Sequence, residues 1–399
     1  MSPSPRDQST SAREKALLVQ VSTGREGKEQ ARDSLAELER LADTAGAVVV
    51  GSITQHRHRP TPNFFIGEGK LAEIQMACRQ AGARLVIFDN ELSPVQVNNL
   101  DLSLETKVID RTELILQIFA RRARSSEAQI QVALAQLQYL ISRLPVSEKQ
   151  ARFTGGIGMR GPGESPLQLR NAPMRRRIRE LKDKLEEVQR RRAMTRSQRR
   201  WPLVCLVGYT NAGKSTLLNA FADAGAYVDD RLFATLDTKT RLVYLPDGRK
   251  ILLTDTVGFI RHLPHGLIAS FKSTLDEVSE ADLLLHVADA SHPCVEEHCQ
   301  IVDETLREIG ADSVPALLLL NKTDRPEAQA ALAALTQRFP GAVAISALQH
   351  DGMKQVKDLM VTMIPALARQ PPRPEGEPPP RFWPQKDGDN PEADDGEAG

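Results

Sequence analysis

Residues 206–216 read LVGYTNAGKST, and the rest of the chain is organised around this stretch. An apolar run leads into Gly208, and Gly213 follows with four residues between them. Glycine at both places lets the backbone turn tightly, so that successive N–H groups point inward at a β-phosphate. Lys214 adds a cation between β- and γ-phosphates, and Ser215 offers a hydroxyl to Mg²⁺. Such a loop needs a strand before it and a helix after it. Both are legible, since Leu203 to Val207 is a short apolar run and Lys214 to Ala222 reads as a helix. The implied ligand is a nucleoside triphosphate. Gly208, Tyr209, Thr210, Asn211, Ala212, Gly213, Lys214, Ser215 and Thr216 are expected to line its phosphates, with Lys214 among the catalytic groups.

Further along, three more elements follow apolar runs in an informative order. Asp255-Thr256-Val257-Gly258 comes after Ile251 to Leu253, which places Asp255 to hold a Mg²⁺-bound water and the Gly258 N–H to meet the γ-phosphate. Asn321-Lys322-Thr323-Asp324 ends the run Ala316 to Leu320. A carboxylate at Asp324 accepts hydrogen bonds from N1–H and the 2-amino group of guanine. Adenine has no such donor pair, so the expected nucleotide is GTP. Ser346-Ala347-Leu348 then offers backbone N–H to guanine O6. Between the phosphate loop and Asp255 lies RLFATLDTKTR, where Phe233, Ala234, Thr235, Leu236 and Asp237 are expected beside the nucleotide. Thr235, Thr238 and Thr240 all compete there to complete the Mg²⁺ shell.

Working outward, 399 residues suggest two or three domains, and the α/β alternation runs through most of the chain. Ala16 to Val21 reads as a strand, Lys28 to Ala45 as a helix stopped by Gly46, and Ala47 to Ile53 as a second strand. A helix ended by Gly82, a strand over Arg84 to Phe88, a helix capped by Ser93 and Pro94, and a strand over Thr106 to Ile109 complete a small domain with a largely parallel sheet, residues 16–112. Residues 113–200 read as a hairpin of two helices. Ile130, Leu134, Leu137, Ile141 and Leu144 recur at steps of four and three, and Met174, Ile178, Leu181, Leu185 and Val188 repeat them. The nucleotide-binding domain takes 201–368. It should be a mostly parallel sheet with helices on both faces.

Overall charge is zero, but residues 170–200 hold 13 basic against 4 acidic side chains, and residues 371–399 hold 3 against 8. The first asymmetry implies a polyanion-facing helix, the second a solvated tail over 369–399 that, like residues 1–15, builds no core. Between the helices, residues 154–166 are glycine-rich. Gly156, Gly158 and Gly161 spell a dinucleotide fingerprint, but no strand precedes them, so a flexible tip touching RNA backbone, or a plain connector, is the better reading. The four cysteines form no CxxC pair, which fits a reducing compartment. His292, Cys294, His298 and Cys299 cluster without paired-ligand spacing, and a zinc site is set aside in favour of a helix start. The stretch MSPSPRDQSTSAREK lacks the apolar core expected of a secretion signal, and the apolar runs fall short of membrane-spanning length.

Taken with FIGEGKLAEI, FDNELSPVQVNNL, IDRTELILQIFARRARSSEAQIQVALAQLQYL and GGIGMRGPGE, the nucleotide motifs make the chain resemble the HflX-type GTPases of the Obg-like branch over roughly 16–367. The resemblance implies a cytoplasmic, Mg²⁺-dependent GTPase that binds the large ribosomal subunit through 113–200 and splits or rescues stalled ribosomes. It also favours Thr235 as the Mg²⁺ ligand beside Ser215. DNA is not an expected partner, a monomer is the expectation, and a peripheral membrane contact stays open. The rival reading is a regulatory switch acting on a protein or membrane partner. Two departures stand out: SPLQLR follows Glu164 where the family continues with TQLE and a basic pair, and Thr238-Lys239 replaces Pro-Thr.

Hydrolysis poses its own question, because Phe259 follows Gly258 where many G proteins carry a water-orienting glutamine. Phe259 has neither donor nor acceptor. A cation must come from elsewhere, and Asn211 stands where related G proteins hold K⁺ beside the phosphates; the alternative is that Asn211 only braces the loop.

Overall fold

The computed structural model describes residues 13–23, 28–143, 166–196, 201–222, 232–233, 236–261 and 272–364. The expectations for the N-terminal arm, the glycine-rich tip, Ala234, Thr235 and the acidic tail fall outside these residues.

The N-terminal part runs β1 (Lys15–Thr23), α1 (Lys28–Thr44), β2 (Val48–Arg57), α2 (Glu68–Ala81), β3 (Leu85–Phe88), α3 (Pro94–Leu104) and β4 (Lys107–Asp110). Its strands pair in the order β2-β1-β3-β4, all parallel. Parallel sheets are covered on both faces, and β1 shows how. Ala16 and Leu18 enter one apolar cluster with α1, while Leu17, Val19 and Val21 enter another with α2. Punctuation read from sequence holds here: Gly82 ends α2 at φ 64°, and Ser93 with Gln96 forms a reciprocal capping box at the start of α3.

One expectation is corrected next. The apolar repeat predicts a single helix over 113–144, but the chain forms α4 (Arg111–Arg122) and α5 (Ser126–Arg143) with an elbow at 123–125. The apolar repeat begins at Ile130, beyond the elbow, and so does not register it; there the N–H groups of Arg124 and Ser125 are taken up by a carboxylate from a distant segment, described below. Helix α6 (Pro166–Arg196) then packs on α5, with Leu134, Leu181 and Leu185 buried together and Ile130, Leu137 and Ile178 against them.

From residue 203 a second sheet forms: β5 (Leu203–Val207), α7 (Lys214–Phe221), β6 (Lys239–Tyr244), β7 (Lys250–Asp255), α8 (Lys272–Ser279), β8 (Leu283–Asp289), α9 (Val295–Glu308), β9 (Ala316–Asn321), α10 (Pro326–Arg338), β10 (Val343–Ala344) and α11 (Met353–Met363). The order is β10-β9-β8-β5-β7-β6, parallel except that β6 runs against β7. Strands β5, β7, β8 and β9 end at one edge, and the motif loops leave from their C-terminal ends, where open α/β sheets bind ligands.

Candidate nucleotide site and the seam around it

Between β5 and α7 the phosphate loop is held in a shape that only some residues allow. Gly208 has φ 150°, and a Cβ there would lie 2.2 Å from the Val287 carbonyl oxygen. At Gly213, φ is 99°, and a Cβ would lie 2.3 Å from Asn321 Nδ2. Both glycines are therefore required by backbone conformation and by space. Asn211 also takes a left-handed φ of 61°, which asparagine tolerates better than most side chains. Lys214 is buried, and its ammonium donates to the carbonyls of Gly208 at 3.0 Å and Tyr209 at 2.8 Å, curling the loop around itself. Burial pushes this lysine down to about 8, with Asp255 opposing the shift.

Ser215 Oγ donates to Asp255 Oδ2 at 2.5 Å, so a hydroxyl and a fully buried carboxylate meet at the start of α7. A pair of hard oxygen donors beside the phosphate loop fits Mg²⁺. Thr256 is fixed by its hydroxyl on the Leu206 carbonyl at 2.6 Å, and Val257 is half-buried. Gly258 packs so tightly under the loop that a Cβ would come within 2.8 Å of Thr210 Cγ2 and 3.0 Å of Lys214 Nζ. Phe259 bridges the same loop by backbone, accepting from Thr210 N at 2.8 Å and donating to the Gly208 carbonyl at 3.1 Å, while its ring is buried in the core.

The third and fourth elements lock onto the first. Asn321 Nδ2 donates to the Ala212 carbonyl at 2.8 Å, and Asn321 Oδ1 accepts from Ala347 N at 3.0 Å, so one amide ties the phosphate loop to residues 346–348. Lys322 has φ 66° and an ion pair of 2.6 Å with Asp289. Thr323 N donates to the Ile345 carbonyl at 3.2 Å. Ser346 Oγ donates to Asp324 Oδ1 at 2.6 Å and orients that carboxylate; Leu348 is exposed. Thr216, on the first turn of α7, is half-buried.

The described residues of the following segment, 232–233 and 236–237, go elsewhere. Leu232, Phe233 and Leu236 are each 3 % exposed and join the apolar cluster that holds Ile115, Leu116 and Phe119 of α4. The Phe233 ring meets Phe119 edge-on at 4.7 Å. Asp237 receives hydrogen bonds from the elbow between α4 and α5.

Sequence reasoning missed a polar seam between this site and the N-terminal sheet. Tyr209 Oη donates to Glu37 Oε2 at 2.8 Å and accepts from Arg261 N at 3.0 Å, while its ring stacks on His298 at 3.8 Å. Arg111, buried, pairs with Glu37 at 3.0 Å and Asp89 at 2.6 Å. Arg261 pairs with Asp33 at 2.5 Å and Glu297 at 3.2 Å. Burial raises the Asp33 carboxyl, but hydrogen bonds from His292 and His298 and the charge of Arg261 together hold it well below the usual carboxylate range. His292, His298 and Asp33 converge as three ligands to a metal would. Cys294 N–H, however, donates to His292 Nδ1 at 3.2 Å. Neutral His292 therefore carries its proton on Nε2, which faces Asp33 Oδ1 at 3.2 Å, and Arg261 holds the other carboxylate oxygen. The trio is an electrostatic clamp, in which His292 faces one Asp33 oxygen and His298 Nε2 lies 3.5 Å from the oxygen that Arg261 holds. Cys299 is buried and pushed up to about 12, mainly by desolvation, so it offers no thiolate.

A phosphate loop after the central strand, a Mg²⁺-compatible hydroxyl–carboxylate pair and an Asn-Lys-Thr-Asp end on the same sheet define a P-loop GTPase. Comparison with known proteins narrows the class. Residues 32–120 match a family described as "GTP-binding GTPase N-terminal", 122–199 its "Middle Region", and 203–322 "50S ribosome-binding GTPase". GTPase HflX of Lacrimispora saccharolytica is 46% identical over 355 residues, covering 88% of this chain and 83% of that protein. GTPase HflX of Escherichia coli K12 is 46% identical over 320 residues, covering 79% and 74%. Among solved structures, a complex of SsGBP with GDP aligns over 88% of this chain and 98% of its own, at 26% identity and a TM-score of 0.48. The chain belongs to the HflX family of GTPases and hydrolyses GTP. No helix among the described residues is long and apolar enough to cross a membrane.

Proposed function

We propose that this GTPase is Mg²⁺-dependent and that its GTP-bound form engages the large ribosomal subunit through residues 113–200, where it splits or rescues stalled ribosomes in the cytoplasm. The observation that carries the reading is the basic helix α6, packed by its apolar stripe on α5 with Arg176, Arg177, Arg190 and Arg191 left outward. Each of these arginines has an acidic partner one turn away on the same helix, but exposed pairs are weak and give way to phosphates. A domain described as a 50S ribosome-binding GTPase, following directly on this hairpin, supports the same reading. Co-sedimentation with purified large subunits tests it. Binding with a non-hydrolysable GTP analogue should exceed binding with GDP and fall as salt rises; no co-migrating subunit in any nucleotide state overturns it.

In the nucleotide site, Lys214 and the loop N–H groups hold the β- and γ-phosphates, Gly258 N–H marks the γ-phosphate, and Asp324 reads guanine. Ser215, with Thr235 of the adjoining segment, would hold Mg²⁺, which when bound neutralises charge on the phosphates. Water placement cannot fall to Phe259, whose ring is buried. Asn211, exposed at the loop crest, is the residue for a K⁺ ion that offsets transition-state charge. Basal hydrolysis should then be faster in K⁺ than in Na⁺ at equal ionic strength, with the difference lost in Asn211→Ala. Equal rates in the two salts discard the cation role.

A further inference from the structure

The elbow between α4 and α5 is closed by a carboxylate that belongs to the nucleotide-binding half of the chain. Arg124 N donates to Asp237 Oδ2 at 3.0 Å, Ser125 N lies 3.3 and 3.4 Å from the two Asp237 oxygens, and Ser125 Oγ donates to Asp237 Oδ1 at 2.5 Å. Ser125 Oγ accepts in turn from Ala128 N at 3.1 Å, so it caps α5 while its own N–H and hydroxyl proton are used by Asp237. A carboxylate at this end of α5 also meets the positive end of the helix dipole. The contact spans 112 positions in sequence.

On its other side Asp237 is short-wired to the site. Two residues later β6 begins, and Lys239 and Thr240 pair with Asp255 and Thr254 at the end of β7, with Thr240 Oγ1 2.9 Å from Thr254 Oγ1. Asp255 is the carboxylate that holds Ser215. Just before Asp237, Phe233 and Leu236 are sunk in the cluster around Phe119. The residues leading into the edge strand of the nucleotide sheet are thus fastened by a polar contact to the first turn of α5 and an apolar one to the end of α4, and α5 is the helix on which α6 packs.

We propose that Asp237 is a positioning residue: by capping the elbow it fastens the residues that lead into β6 to the helical hairpin, so that exchange of GTP for GDP is felt at the first turn of α5. This deepens the ribosome reading by naming how the hairpin is regulated, and its test uses no ribosomes, so the two fail separately. A carboxylate that merely braced the fold would make α5 equally protected in both nucleotide states.

The experiment is amide hydrogen exchange on the full chain, in peptides covering 120–135, with GDP and with a non-hydrolysable GTP analogue. Wild type should show exchange rates there that differ at least severalfold between the two nucleotides. Asp237→Ala should exchange fast and alike in both, with kcat for GTP lowered about three- to thirtyfold and KM changed less than twofold. Ser125→Ala should show the same defect in part, and the double variant should be no worse than Asp237→Ala, as expected of two residues in one contact. Asp237→Asn, which keeps an acceptor oxygen and a good capping side chain, should recover part of the nucleotide-dependent difference and guards against an Asp237→Ala chain that fails to fold. The proposal is overturned by wild-type peptides that exchange alike in both nucleotides, by an Asp237→Ala chain that keeps the full difference, or by additive losses in the double variant.

Discussion

The nucleotide pocket and the seam beside it are built from similar chemistry but organised in opposite ways. Among the described residues the pocket contacts come from loops at the C-terminal ends of strands in one sheet and from the first turn of α7, and Asn321 by itself joins three motif loops. Seam contacts join residues 172 positions apart in Tyr209–Glu37 and 228 apart in Arg261–Asp33. The pocket is fixed within a single sheet, whereas the seam exists only after two sheets have folded and docked. Lesions in the pocket should therefore cost turnover and spare the fold; lesions in the seam should do the reverse.

The largest expected contrast sets Lys214→Ala against Arg111→Met. Removing the lysine should lower kcat/KM for GTP by about 10²–10³, the loss seen when a preorganised charge is taken from a transition state, with little change in unfolding midpoint. Removing the guanidinium leaves Glu37 and Asp89 buried without a counter-ion, each keeping one hydroxyl donor, and should cost about 3–5 kcal/mol of stability in denaturant unfolding while GTP affinity stays within a few-fold. If Arg111→Met unfolds normally, the seam is ornamental.

A gentler lesion at the meeting point of the two regions is Tyr209→Phe. It removes the hydroxyl shared by Glu37 and Arg261 N but keeps the ring on His298, and should cost about 1–3 kcal/mol for the unsatisfied buried acceptor. Changed stability with unchanged GTP binding keeps the two regions separable; a parallel loss of both makes them one unit.

Smallest is an effect of pH on Lys214. With its ammonium held down to about 8 in the nucleotide-free protein, the lysine loses its proton above that pH, and binding a triphosphate must restore it. GTP affinity should fall by up to about tenfold per pH unit above 8. The sign for stability is opposite: between about 8 and the ordinary lysine value the unfolded chain binds more protons than the folded one, so the nucleotide-free protein gains stability as pH rises. Isothermal titration and unfolding at pH 7 and 9 read both slopes.

Legibility follows the same division. Strand-loop-helix punctuation revealed the phosphate loop, because Gly208 and Gly213 are demanded by φ and by close approach. The cap at Ser93 and Pro94 was equally readable, being local, although the reciprocal bond from Gln96 came only with the structure. The elbow at 123–125 was not, since its hydrogen-bond acceptor is Asp237, more than a hundred positions away, and the repeat from Ile130 to Leu144 begins only after the break. The clamp of His292 and His298 was visible only as half a pattern, its carboxylate lying on α1. Phe233 and Asp237 were placed beside the nucleotide by their motif, while their side chains turn to α4 and α5. A signal did exist: an apolar Leu-Phe pair in a segment otherwise rich in Thr and Asp asks for a partner surface.

The account rests most heavily on guanine being read by Asp324, and one substitution tests that directly. In Asp324→Asn the amide still accepts from guanine N1–H but now points an N–H at the 2-amino group, whereas xanthine offers a carbonyl there. Competition measurements on the variant should show GTP affinity down by about 10²-fold or more, matching the rejection of a base that leaves buried polar groups unpaired, and XTP binding regained. Equal affinity of wild type and variant for GTP, or no preference of the variant for XTP, would contradict it.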